Sequence, residues 1–152
     1  MRTTLPSGTP VELVLPTDGE VGRALVIAPD VMGLRPLFDE MAARLSADHG
    51  WAVAAVEPFP GDLASMPLEE RLAHRIDTER LTTDLQVAAD VLQERTGAAR
   101  VGIIGCCMGG MNVFRAAGTG RFDKGVAFYG MIRPPEPWST PGDDPLDALA
   151  RP

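Results

Sequence analysis

The chain has 152 residues, 45% of them apolar, with 21 acidic against 14 Lys and Arg side chains and a net charge of −7. That length suits one domain, residues 1–152, with a sizeable core, and the mean hydropathy near zero is that of an ordinary globular protein. The acidity argues against a nucleic-acid or anionic-membrane surface, since both need a concentrated positive field, and leaves a small molecule as the expected partner.

The opening MRTTLPSGTPVELVLPTDGE has no apolar segment of signal-peptide type, and no run elsewhere approaches the ~20 residues of a membrane span. A cytoplasmic protein is expected. Val11 to Thr17 reads as a first strand, and Gly22 to Val31 as a buried one with a continuous apolar run from Ala24 to Ala28. A helix follows, with Leu37, Met41 and Leu45 on one stripe, Phe38 and Ala42 beside it, and Gly50 as its C-terminal stop.

WAVAAVEPFPG, from Trp51, returns as a strand. Pro67 marks a helix start, with Glu69 and Glu70 in the first turn. Leu68, Leu72 and Ile76 form one stripe and Leu81, Leu85, Ala88 and Leu92 a second. The five-residue step from Ile76 to Leu81 breaks phase, so a kinked helix or two helices ending near Gly97 are expected. RVGIIGC is the next strand, MGGMNVFRAAG a helix and KGVAFYGM a further strand. This alternation predicts a three-layer, open, mostly parallel α/β sheet. Residues 133–152 read as a Pro-rich loop entering a short helix.

GIIGCCMGG holds both cysteines of the chain. An apolar run ending in Gly-x-Cys-x-Gly-Gly is the pattern of a nucleophile elbow, which needs small residues two before and two after the nucleophile. Cys107 has Gly105 and Gly109 there, with Gly110 following, whereas Cys106 has Ile104 and Met108. Cys107 is thus the expected nucleophile, at a helix start where the dipole favours thiolates, and Cys106 is expected to point into the sheet. Adjacent cysteines do not make an ordinary disulfide, so both should be free thiols. The competing account makes both cysteines small buried hydrophobes beside glycines that only ease helix packing. The glycine spacing does not match G-x-G-x-x-G, and C-C is not the redox C-x-x-C.

An elbow uses two backbone donors for the developing oxyanion: the N–H after the nucleophile, here Met108, and one from the loop after an earlier strand. In APDVMGL, from Ala28, the N–H of Val31 is placed to be the second.

VIAPDVMGLRPLFDEMAARL, then VGIIGCCMGG, then KGVAFYG resembles the dienelactone hydrolase family over about residues 10 to 132. The resemblance implies an α/β-hydrolase fold and hydrolysis of enol lactones or small carboxylic esters by a cysteine nucleophile, without cofactor or metal. It matches Cys107 to the nucleophile and Val31 and Met108 to the oxyanion hole. It also makes Asp30 the counterpart of the family's thiol-activating glutamate, one methylene shorter. The family's substrate-binding arginine has no clear counterpart; Arg71, Arg75 and Arg80 read equally well as solvated helix faces.

The fold places acid and histidine after the nucleophile, yet His49 and His74 both precede Cys107. Asp143, Asp144 and Asp147 read as solvated loop charges. The expectation is therefore a C-terminally truncated hydrolase, inactive as this fragment, with an open sheet edge prone to self-association. The alternative is a non-catalytic α/β interaction module with a relic elbow.

Overall fold

The computed structural model describes residues 1–17, 21–139, 142 and 144–150. Among these, the strands are β1 (Arg2–Thr4), β2 (Pro10–Val14), β3 (Arg23–Ala28), β4 (Ala52–Val56), β5 (Arg100–Cys106) and β6 (Lys124–Phe128). They form one sheet in the order β1-β2-β4-β3-β5-β6. The last four strands in that order run parallel, and β1 and β2 add an antiparallel edge. The helices are α1 (Pro36–His49), α2 (Leu68–Ala73), α3 (Thr78–Thr96), α4 (Met108–Ala117) and α5 (Pro145–Leu149). Among the described residues no helix is long and apolar enough to cross a membrane.

Layers follow from burial. All of β4, and β3 after Arg23, are buried, as strands covered on both faces must be. On one face α3 and α4 bring Leu85, Ala88, Ala89, Leu92, Val113 and Ala116 against Val26, Ala54, Val101 and Ile103. On the other, α1 packs Phe38 and Ala42 against Leu25, Ile27, Val53 and Ala55. The expected three-layer open sheet is the observed one.

Caps set the helix limits. Gly50 and Gly97 both adopt left-handed backbone, with φ of 65° and 69°, and return N–H bonds to Ser46 and Gln93. The phase break after Ile76 is a true interruption: α2 ends at Ala73, and Asp77 restarts the chain as α3 by accepting from the Arg80 N–H at 2.9 Å.

The stripe of α1 differs from expectation. Its buried line is Phe38, Ala42 and Ser46, while Leu37 is exposed and Met41 and Leu45 are half-buried. α1 lies over β3 and β4, so its Met41–Leu45 side borders an uncovered strip of sheet. The tail also docks: Ala148 of α5 is buried, and its carbonyl comes so close to Gly118 of the α4 end that a Cβ there would sit 2.3 Å away.

Candidate active site

β5 ends at Cys106, α4 begins at Met108, and Cys107 between them has φ 55° and ψ −118°. A non-glycine residue held there stores about 1–3 kcal/mol of strain, which surrounding structure must offset. Here the Cys107 N–H donates to Phe128 O at 3.0 Å, and Cys107 O accepts from Met111 N–H at 3.2 Å. Glycines allow the approach. A Cβ at Gly105 would lie 2.3 Å from Gly109 O, and one at Gly109 would lie 1.9 Å from Ala28 O. Gly110 is equally tight against Gly130, where a Cβ would meet its Cα at 2.8 Å. The start of α4 is thereby pressed onto the ends of β3 and β6.

The loop after β3 folds into a tight turn. Gly33 N–H donates to Asp30 O at 3.0 Å, Met32 N–H to Asp30 Oδ1 at 2.9 Å, and Leu34 N–H to Glu57 Oε2 at 2.9 Å. From Val31 to Leu34 the Val31 N–H alone has no hydrogen-bond partner among the described residues. Nor has the Met108 N–H at the first position of α4, where helices leave donors unsatisfied. The Met108 side chain is buried in one apolar cluster with Phe59, Leu81, Met111 and Trp138, and the half-buried Val31 side chain packs against it.

Asp30 is engaged elsewhere than at Cys107. Both of its oxygens accept from Arg35, at 2.7 and 2.8 Å. Burial pushes the Asp30 carboxyl up, but the Arg35 guanidinium and the Met32 N–H outweigh it and hold it below the ordinary carboxylate value.

Cys106 departs from expectation. It is half-buried, not sequestered, because its side of β5 is the one α1 leaves uncovered beside β6. Burial raises its thiol above the ordinary value, Asp30 and Cys107 add to this, and a hydrogen bond with Tyr129 opposes it. Tyr129 is itself 75% exposed and has φ 40°, an unusual backbone for an aromatic residue. Its hydroxyl is raised chiefly by Cys106. Both cysteines are free thiols.

The arginines separate. Arg71 is buried and bonded to backbone carbonyls, so it is no solvated helix face. Arg80 pairs with buried Asp84 at 2.8 Å, which also accepts from Ser7 and Thr9, while Arg75 is exposed. Both histidines sit at helix ends. His49 stacks on Trp51 at 5.1 Å, at the opposite end of α1 from Cys107, and His74 caps α2. Asp144 precedes α5 and accepts from Ser139 at 3.1 Å; Asp143 lies outside the described residues.

Arg35, Glu57 and Tyr129 near the site were not singled out by sequence, nor was the buried, carbonyl-bound role of Arg71. Glu57 alone left a trace there, as a carboxylate directly following an unbroken apolar strand.

A cavity of about 720 Å³ lies away from the elbow, on the open strip between α1 and β6, lined by Leu25, Met41, Leu45, Trp51, Ile104 and Val126 among others.

Known proteins resemble this chain in sequence and in fold. Carboxymethylenebutenolidase 2 of Cupriavidus pinatubonensis is 30% identical over 128 residues, 83% of this chain and 51% of its own length. The hydrolase pyvD of Aspergillus violaceofuscus is 29% identical over 151 residues, 93% of this chain and 60% of its own. The chain thus spans about half to three fifths of these relatives. A Klebsiella pneumoniae structure assigned to the dienelactone hydrolases superposes with a TM-score of 0.77 at 21% identity, covering 98% of this chain and 68% of that one. That likeness shows the fold. The dienelactone hydrolase family matches residues 11–145, and with the elbow between β5 and α4 in place, the chain belongs to that family of α/β-hydrolase-fold proteins.

Proposed function

We propose that this chain carries the nucleophile and the oxyanion site of a carboxymethylenebutenolidase-like hydrolase of enol lactones or small carboxylic esters, with Cys107 as nucleophile. One observation carries the reading: Cys107 stands at φ 55° where a strand breaks into a helix, and the N–H groups of Met108, next to it, and of Val31 have no hydrogen-bond partner among the described residues. In the proposed step the Cys107 sulfur loses its proton to solvent and attacks the ester carbonyl carbon. The carbonyl oxygen becomes an oxyanion that accepts from both N–H groups. Collapse expels the alkoxide or enolate and leaves a thioester on Cys107, which water then hydrolyses.

Acylation needs only these groups, whereas deacylation needs a base that activates water. Asp30 is tied to Arg35, His49 packs on Trp51 at the C-terminal end of α1, and His74 closes α2. Slow turnover after one acylation therefore fits these residues. Two free thiols fit a reducing, cytoplasmic setting.

The test is p-nitrophenyl acetate with mass mapping. About one equivalent of p-nitrophenolate should be released rapidly, with acetyl on Cys107 and no rapid release from Cys107→Ala. Acetyl on Cys106, or no burst, would favour a non-catalytic module instead. We also propose self-association through the β6 edge, where Val126 and Phe128 are 48% and 47% exposed. Sedimentation at rising concentration should show it, and a monomer throughout would exclude it.

A further inference from the structure

We propose that Glu57 and Arg71 are positioning residues that grip the Asp30–Leu34 loop from its buried side and so fix the direction of the Val31 N–H. The inference rests on the reading of Val31 as an oxyanion donor.

Glu57 follows the last residue of β4 and is only 5% exposed. A carboxylate so placed is costly unless its oxygens find donors. Both do: Oε2 accepts from Leu34 N–H and Oε1 from Phe59 N–H, each at 2.9 Å. The carboxylate reaches them by lying flat against Gly33, which has φ +72° and whose missing Cβ would sit 2.6 Å from Oε1. Gly33 is therefore required twice, for the turn and for the carboxylate beneath it.

Arg71 is 8% exposed, forms no ion pair among the described residues, and spends its donors on carbonyls. Nη1 donates to Met32 O at 2.8 Å and to Val31 O at 3.3 Å. Nε donates to Met66 O at 2.8 Å and Nη2 to Ala64 O, while the guanidinium lies over the Phe59 ring, 5.4 Å from its centroid. One cation thus ties the oxyanion loop to the segment that enters α2.

These bonds fix the peptide planes on the C-terminal side of Val31. The plane before it is fixed by Gly33 N–H donating to Asp30 O at 3.0 Å. In a trans peptide C=O and N–H point opposite ways, so with Asp30 C=O turned into the loop, Val31 N–H must point out of it. Loosening Glu57 or Arg71 frees the turn to rotate that donor, with no change at Cys107.

Two reagents separate the effects. Acylation by p-nitrophenyl acetate builds an oxyanion, whereas alkylation by iodoacetamide is a displacement at saturated carbon and builds none. Both rates are measured on Cys107 in the full chain carrying Cys106→Ala, alone and with Glu57→Gln or Arg71→Lys. A glutamine side chain offers only one acceptor oxygen where two N–H groups converge, and lysine lacks the guanidinium fork. We expect the acylation-to-alkylation ratio to fall about tenfold in each variant, below the hundredfold or more that loss of a whole oxyanion donor costs. Alkylation should stay unchanged. If the parent chain acylates no faster, relative to alkylation, than N-acetylcysteine, the oxyanion reading fails and the inference with it. If the parent exceeds that thiol and both variants keep its ratio, the positioning roles alone are overturned. Should Glu57→Gln fail to fold by circular dichroism, Arg71→Lys decides.

Discussion

The two faces of the sheet are covered unequally. Under α3 and α4 the strands meet a continuous layer in which Leu85, Ala88, Leu92, Val101 and Ile103 are at most 1% exposed. Under α1 the cover reaches β3 and β4 and stops, leaving Ile104, Val126 and the flank of α1 around a cavity of about 720 Å³. The packed face is what presses α4 onto the strand ends and holds Cys107 in its strained backbone. The open face is why Cys106, one residue earlier, is a half-buried thiol. Neighbours in sequence thus answer to different faces.

The sharpest way to break this contrast is to cut equal volumes from both faces. Leu85→Ala, under α3, should cost about 2–5 kcal/mol, because the lost side chain leaves a cavity in a close-packed layer. Leu45→Ala, on the half-buried flank of α1, should cost about 1 kcal/mol or less, since water already reaches the site. Urea unfolding measures both. Equal losses would mean that the second face is covered in solution.

Adding a methyl probes the same contrast. Gly109→Ala drives a Cβ to within 1.9 Å of Ala28 O, a backbone atom that moves only if α4 moves, and should cost about 1–3 kcal/mol and slow Cys107 acylation. Gly102→Ala, on the open face, meets Leu25 Cδ1 and Lys124 O at 3.5 Å, an ordinary contact, and should change stability by about 0.5 kcal/mol at most. Similar melting curves for the two would show that the elbow is looser than its geometry implies.

What was legible in the sequence was local. Apolar runs marked the parallel strands, Gly50 and Gly97 marked helix ends, and Gly105 and Gly109 set Cys107 apart, because each signal lies within a few residues of its cause. β1 escaped notice, for Arg2–Thr4 has no apolar pattern and is a strand only by pairing with β2. Glu57 and Arg71 escaped because a charge reads as solvated until its partners, here 23 and 39 residues away, are brought to it. The burial expected for Cys106 failed for a kindred reason: strand alternation tells which face a residue takes, not whether a helix lies over it.

Alkylation across pH sharpens the contrast between the thiols. A Cys106 thiol held above its ordinary value carries less thiolate at neutral pH than a free cysteine, so iodoacetamide should label it slowly and catch up as pH rises through the raised value. Tyr129→Phe removes the hydrogen bond that lowers it, and should move the Cys106 profile a further step to high pH. Peptide mapping after short pulses gives each profile separately. A Cys106 profile unmoved by Tyr129→Phe would mean that burial alone sets it.

The smallest effect belongs to the exposed grip on the Asp30–Leu34 loop. Arg35 and Asp30 hold its solvent side, with side chains 31% and 19% exposed, where Glu57 and Arg71 hold its buried side. Ion pairs so exposed contribute about 0–1 kcal/mol, so Arg35→Ala should lower stability at neutral pH by no more than that, well short of the packed-face substitutions. The sign of its pH dependence follows from Asp30. Its folded carboxyl lies below the ordinary value, so the stability it contributes is present above the unfolded value of about 4 and is lost as pH falls through the folded one. Urea midpoints of parent and Arg35→Ala should therefore differ at neutral pH and converge in acid. A gap that persists after Asp30 is protonated would point to the Arg35 guanidinium lying 4.9 Å over the Phe38 ring, a contact that does not titrate in that range.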